Sequence, residues 1–314
     1  MTVAFVMSGA ANFGSLQVGA LQVLLEQGIQ PDVLIGTSAG ALNSAYLGVE
    51  ATPEAAYRLA DIWRNAGRDA LSRSGRLMIL LRLIFNHDGI LPNLPLRRFL
   101  ERSLPPGITR YGDLNLPAYS VAVRLDTGEI RCFGDDPADL ILDGLMASTA
   151  IPGFYPPWTC DGVPYVDGGV VAYLPIDLAI KRGATEIYAL NVRVADAGKR
   201  VIRGTLAIAG RALDLLIDRQ RASEIELHRG NSSVLIHDIG LSTGRAIEFW
   251  DFRYSDEMVA VGREIAQAYL NGPRLERPVK RGWRDWFRRR PHFRQAGALA
   301  SAVVPRRAIV SRQP

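Results

Sequence analysis

Two short stretches of this 314-residue chain carry residue types suited to acyl-transfer chemistry. One reads Ile35-Gly36-Thr37-Ser38-Ala39-Gly40-Ala41-Leu42, a serine between glycines directly after an apolar run. Gly-x-Ser-x-Gly between a strand and a helix describes a nucleophile elbow, a turn so sharp that flanking side chains would collide; Gly36 and Gly40 remove those collisions. The turn pushes the Ser38 hydroxyl outward, beside the amino end of the next helix. The other stretch reads Val163-Pro164-Tyr165-Val166-Asp167-Gly168-Gly169, a carboxylate at a strand end followed by two glycines that allow close backbone approach. Each stretch also has a plainer reading, as a serine helix cap and as an Asp-Gly turn.

A serine hydroxyl attacks a carbonyl only when a base takes its proton. Asp167 could accept it directly. The histidines offer a second route: of His87, His228, His237 and His292, His228 and His237 follow Ser38 and Asp167 in the Ser, Asp, His order of an α/β-hydrolase triad. That fold, however, sets several strands ahead of its nucleophile, and here a single strand precedes the elbow's own. Residues 36–42 lack the lysine of a phosphate-binding loop, residues 8–14 lack G-x-G-x-x-G, and no metal-ligand spacing is present, so neither cofactor nor metal is expected.

The elements that must position these groups follow from periodicity. Val3 to Met7 reads as a buried strand ending at Ser8-Gly9, and Leu16, Gly19, Ala20, Val23 and Leu24 recur at helical spacing until Gly28. Asp32 to Ile35 reads as a second strand and Ala39 to Leu47 as a helix. The pattern is a right-handed crossover unit that places residues 8–13 and 36–38 on the carboxyl edge of a parallel sheet, where ligands bind. Helices are expected at 53–66, 94–102, 137–147, 205–228 and 256–270, and strands at 118–123, 130–133, 163–166, 186–192 and 234–236. This alternation predicts an α/β fold with a mostly parallel central sheet flanked by helices.

Hydrophobic residues make up 48% of the chain and charged residues 22%, the balance of a globular protein able to bury a large core. The net charge of +5 conceals an asymmetry: residues 273–314 hold 12 Lys and Arg against 2 acidic residues, leaving 25 basic against 30 acidic in the rest. We therefore expect a body at 1–272 and a basic tail at 273–314. In the tail Trp283, Trp286, Phe287 and Phe293 interleave with arginines, which suits an anionic membrane surface better than nucleic acid. Leu77 to Phe85 is almost wholly apolar and fits either a buried helix or a cover over an acyl-chain channel. It is too short to span a bilayer. Cys132 and Cys160, the only cysteines, provide no disulfide framework, and the amino terminus does not read as a secretory signal. The expected location is cytoplasmic, peripheral to the inner face of a membrane.

Five segments stand in one order: S-G-A-A-N-F-G at 8–14, G-T-S-A-G-A at 36–41, A-S-T-A-I-P-G-F-Y-P-P at 147–157, V-D-G-G at 166–169 and D-F-R-Y-S-D-E-M at 251–258. In that order they resemble the patatin-like phospholipase family over most of residues 3–270. The resemblance implies a three-layer architecture and a Ser-Asp dyad, with Ser38 as nucleophile, Asp167 as its activating group and Gly168 and Gly169 completing the Asp-Gly-Gly motif. It implies an oxyanion hole from the amides of Gly9, Ala10 and Ala11. The reaction implied is hydrolysis of a fatty-acyl ester of phospholipid, lysophospholipid or neutral glyceride through an acyl-enzyme. One departure stands out: Phe13 occupies the place where the family's Gly-rich loop carries a basic residue. That departure motivates a second reading, a lipid-binding or regulatory protein with little turnover.

Overall fold

The computed structural model describes residues 1–69, 87–193, 203–228, 233–244, 247–248 and 251–272. The apolar stretch Leu77 to Phe85 and the tail at 273–314 lie outside the described residues. β1 (Val3–Met7) is the middle strand of the sheet's parallel run, paired in parallel with β2 (Val33–Thr37) on one side and β7 (Glu186–Val192) on the other. Its sequence is apolar without alternation because both faces are covered. Phe5 and Met7 point into a core shared with α1 (Gly14–Glu26), α2 (Ala39–Val49), α3 (Pro53–Asp69), α4 (Asn93–Ser103), α5 (Ile141–Ser148) and α8 (Ser255–Asn271). Ala4 and Val6 point into a second core with α6 (Ile176–Lys181) and with Ile217 and Ile225 of α7 (Thr205–His228). Helix, sheet and helix thus form the three layers.

The strand order is β5 (Trp158–Cys160), β6 (Val163–Asp167), β3 (Ala118–Arg124), β2, β1, β7, β8 (Leu235–Leu241), with β4 (Ile130–Phe133) also on β3. Pairing is parallel from β3 through β2, β1 and β7 to β8, and antiparallel where β4, β5 and β6 join. The β3 register positions the site. β4 occupies one edge of β3 from Ser120 to Val123, so β2 and β6 must share the other. β2 runs along that edge to Thr37, opposite Val121, and β6 arrives from the opposite direction to put Asp167 opposite Ala122. The ends of β2 and β6 therefore meet head to head. Gly168 makes the meeting sterically feasible: a Cβ there would lie 2.3 Å from the Val121 carbonyl oxygen and 3.1 Å from Thr37 Cγ2.

α1 and α8 cross at reciprocal glycines. A Cβ on Gly19 would lie 2.0 Å from the Val259 carbonyl oxygen, and one on Gly262 would lie 2.0 Å from that of Leu16. Two expected elements differ by four residues or more at one end. The helix expected from Pro137 begins at Ile141, because Asp136 and Asp139 spend their carboxylates on turn amides, those of Ala138 and Gly134, at 2.8 Å each. The strand expected at 234–236 runs to Leu241, paired along the whole of β7.

Candidate active site

β2 delivers Ser38 at its carboxyl end. Its φ of 56° and ψ of −120° lie outside the regions a non-glycine residue ordinarily occupies, and α2 starts at the next residue. The two flanking glycines are sterically required: a Cβ on Gly36 would lie 2.0 Å from the Gly40 carbonyl oxygen, and one on Gly40 would lie 2.4 Å from that of Met7. The strained backbone is held from behind. Ser148, at the end of α5 and fully buried, accepts the Ser38 N–H at 2.8 Å and donates to the Val121 carbonyl at 2.6 Å. That tie keeps the Ser38 amide, which the turn removes from the sheet ladder, from being an unpaired buried donor.

β6 delivers Asp167 from the other direction, 6% exposed against 5% for Ser38. Burial pushes its carboxyl up to about 6, while the nearby Ser38 hydroxyl and the Gly169 N–H pull it back down. The Gly169 amide donates to Oδ1 at 2.7 Å. Asp167's own N–H donates to the Ala150 carbonyl at 3.0 Å, which fastens the strand end to the A-S-T-A-I-P-G segment.

The loop after β1 brings three small residues over the serine. Gly9 differs from the expectation. Its N–H donates to the Tyr173 carbonyl at 2.9 Å, so it is already committed and does not face a reacting carbonyl. Its missing side chain matters instead, because a Cβ would stand 2.8 Å from Tyr173 Cε2. The amides of Ala10 and Ala11 open the short 3-10 turn Ala11–Phe13, where first-turn N–H groups have no partner within the helix. Ala11 takes a φ of 47°. Phe13 is 3% exposed and packs into the larger core. An apolar ring thus occupies a buried position that would impose a desolvation cost on a charge.

A buried polar network supports this loop. Gln17 on α1 donates to the Ser8 carbonyl at 2.9 Å and accepts from Asn43 on α2 at 2.9 Å, and Trp63 on α3 donates to Asn43 at 2.8 Å. Asn12 donates to the carbonyls of Glu248 and Asp251 at 2.9 and 2.8 Å, tying the loop to the D-F-R-Y segment.

Ser38, Asp167 and residues 9–11 line a cavity of about 360 Å3 together with Ile151, Pro152 and Phe154 and with α7 residues that include Leu213 and Ile217 and the charged Arg211, Asp214 and Asp218. Its size and apolar walls fit a hydrocarbon chain.

No imidazole lines this cavity among the described residues. His228 Nε2 lies 3.8 Å from Asp177. His237 lies 3.3 Å from Glu186 and stacks on Tyr188 with ring centroids 4.3 Å apart, toward the start of β7, whose far end Val192 reaches the cavity. Burial depresses its proton affinity. Both histidines face carboxylates away from the cavity, so among the described residues Ser38 has a carboxylate neighbour and no ring nitrogen, which speaks against the triad alternative. Cys132 and Cys160 are free thiols. Sequence reasoning missed Ser148, Asn12, Gln17 and Tyr173. Ser148 was within reach, since it lies inside the distinctive 147–157 stretch, whereas nothing local marks Tyr173.

The fold and site together define an α/β protein that presents a strained serine on an elbow to a buried carboxylate. The chain belongs to the patatin-like phospholipase family, whose model matches residues 5–180. Patatin-like phospholipase domain-containing protein 6 of Homo sapiens is 27% identical over 198 residues, 62% of this chain and 14% of that protein. Lysophospholipase NTE1 of Saccharomyces cerevisiae is 26% identical over 198 residues, 62% of this chain and 11% of that one. The match therefore spans a small fraction of these relatives' length. Among solved structures, VipD from Legionella pneumophila aligns with a TM-score of 0.48 at 15% identity, over 86% of this chain and 66% of that one.

Proposed function

We propose that the protein is a serine acyl-ester hydrolase acting on phospholipid or lysophospholipid through a Ser38-Asp167 dyad. The observation that carries the reading is the convergence on one cavity of a hydroxyl held in a strained elbow and a buried carboxylate whose proton affinity is raised to about 6. Such a carboxylate is ionised at neutral pH, yet it holds a proton more tightly than an ordinary aspartate does.

In the first step Ser38 Oγ bonds to the acyl carbonyl carbon and its proton passes to Asp167. Negative charge gathers on the former carbonyl oxygen, which the amides of Ala10 and Ala11 receive. The intermediate collapses by breaking the ester C–O bond, and Asp167 returns the proton to the departing alcohol. Water then attacks the acyl-serine, gives its proton to Asp167 and releases the fatty acid as Ser38 regains its hydrogen. The apolar walls keep the acyl chain out of water meanwhile. The relative named a lysophospholipase supports the choice of substrate class.

Labelling with a fluorophosphonate probe, followed by peptide mapping, tests the assignment. The adduct should fall on Ser38, and Ser38→Ala should abolish both labelling and release of fatty acid from lysophospholipid. Unchanged hydrolysis by that variant would overturn the reading.

A further inference from the structure

β2 buries Val33 and Ile35 in the second core, and Thr37 is next in that row at the strand's period of two. Thr37 is fully buried. A valine would continue the row with the same branched shape and no polar atom, so packing alone does not call for the hydroxyl, whose burial is unfavourable unless it is bonded. It is bonded: Thr37 Oγ1 donates to the Ala172 carbonyl at 2.8 Å, across 135 positions of sequence. The methyl branch stands by the same segment, since a Cβ on Gly168 would lie 3.1 Å from Thr37 Cγ2.

Ala172 closes the turn that begins at Asp167. Its N–H donates to the Gly168 carbonyl at 2.7 Å and that of Val171 does so at 3.1 Å, while the Gly169 N–H holds Asp167 Oδ1. β2 and β6 end head to head on β3 and share no ladder with each other, so the Thr37 hydroxyl is a direct tie between the segments that carry Ser38 and Asp167. The next residue extends the junction. The Tyr173 carbonyl accepts from the Gly9 N–H at 2.9 Å, and the Tyr173 N–H donates to Gln220 of α7 at 3.1 Å. Elbow, aspartate turn, loop 8–14 and α7 thus meet at two successive residues.

We infer that Thr37 is a positioning residue for the hydrolysis, its hydroxyl holding the elbow of Ser38 in register with the turn of Asp167. The inference rests on the Ser38-Asp167 reading and adds what fixes the two groups to each other. Thr37 does not line the cavity; it acts through Ser38, its chain neighbour, and through Ala172. A displacement of about 1 Å between reacting groups costs about a hundredfold in rate.

The test compares Thr37→Val, which keeps the shape and removes the hydroxyl, with Thr37→Ser, which keeps the hydroxyl and removes the methyl. On a soluble short-chain nitrophenyl ester, Thr37→Val should lose about tenfold to a hundredfold in kcat per folded molecule, with KM within about twofold of wild type. Fluorophosphonate labelling of Ser38 should slow in parallel. Thr37→Ser should keep both rates within about threefold although it leaves the larger gap in the core, the reverse of the ranking that packing would give. Full kcat in Thr37→Val would overturn the inference. So would equal losses in the two variants, which would assign the effect to bulk, and so would a change confined to KM, which would place Thr37 in substrate binding. If Thr37→Val does not fold, Thr37→Ala takes its place; failure of both to fold beside a folded Thr37→Ser would make the hydroxyl a requirement of the fold, also against the inference. Ser38→Ala separates the two readings. A fully active Ser38→Ala variant removes the dyad and this inference with it, whereas an inactive one beside a fully active Thr37→Val removes the inference alone.

Discussion

Replacing Asp167 by Asn removes a buried charge while keeping the shape of the side chain, and its effect on stability should run opposite to its effect on turnover. The carboxyl is raised from 3.8 to about 6 in the folded protein, with burial as the main cause. Below pH 3.8 both folded and unfolded chains hold the proton and the site costs nothing. Between 3.8 and about 6 the unfolded chain has released its proton while the folded one keeps it, so folding stability falls as pH rises. Above about 6 both are ionised and the full cost remains. A shift of about two units corresponds to roughly 3 kcal/mol at 1.36 kcal/mol per unit. Asn carries no such titration: its oxygen can accept from the Gly169 N–H, and its amide can donate to Ser38. Urea unfolding of both proteins at pH 4 and pH 8 measures the difference. We expect the variant to gain about 2–3 kcal/mol on wild type between those two pH values, while kcat falls about 10^2- to 10^4-fold for want of the base. The kcat/KM of wild type should climb through a limb near pH 6. A variant whose advantage does not grow with pH, or a wild-type limb at the ordinary aspartate position, would refute the argument.

Other outcomes follow from the same geometry. Ser148→Ala strands the Ser38 N–H, and active-site titration should find a near-normal number of reactive serines, each acylated about tenfold to a hundredfold more slowly; Ser148→Thr should recover part of the rate. Gly36→Ala forces a Cβ to within 2.0 Å of a carbonyl oxygen, so thermal unfolding should show a loss of about 3 kcal/mol or more, or no folded protein. Gly262→Ala, blocked at 2.0 Å by the Leu16 carbonyl, should destabilise by about 1–3 kcal/mol while fluorophosphonate labelling of Ser38 in the folded fraction persists. His228→Gln/His237→Gln should leave most hydrolysis intact, since neither ring reaches the cavity; collapse of turnover in a folded double variant would restore the histidine route.

Much of this protein is legible in its sequence because the decisive constraints are local. The uninterrupted apolar run 3–7 calls for a strand covered on both faces, and Gly-x-Ser-x-Gly between strand and helix calls for an elbow whatever lies around it. Both depend on contacts made within a few residues, so the fold class and the alternation of elements could be read directly. The partner of Ser38 could not be. Asp167 lies far along the chain, and its approach depends on β4 claiming one edge of β3, which forces β2 and β6 to end nose to nose on the other. The residues alone offered Asp167 or, in triad order, His228 and His237, and only the resemblance favoured Asp167; the sheet sets Asp167 at the carboxyl end of β2 and His237 against Tyr188. Tertiary structure likewise decided that Gly9 spends its amide on Tyr173, that Ser148 holds the Ser38 amide and that α7 leaves its leucines in solvent. Sequence patterns report what a residue does to its neighbours along the chain. Hydrogen-bond commitments and exposure depend on which distant element fills the space, and only the assembled sheet and helices determine that.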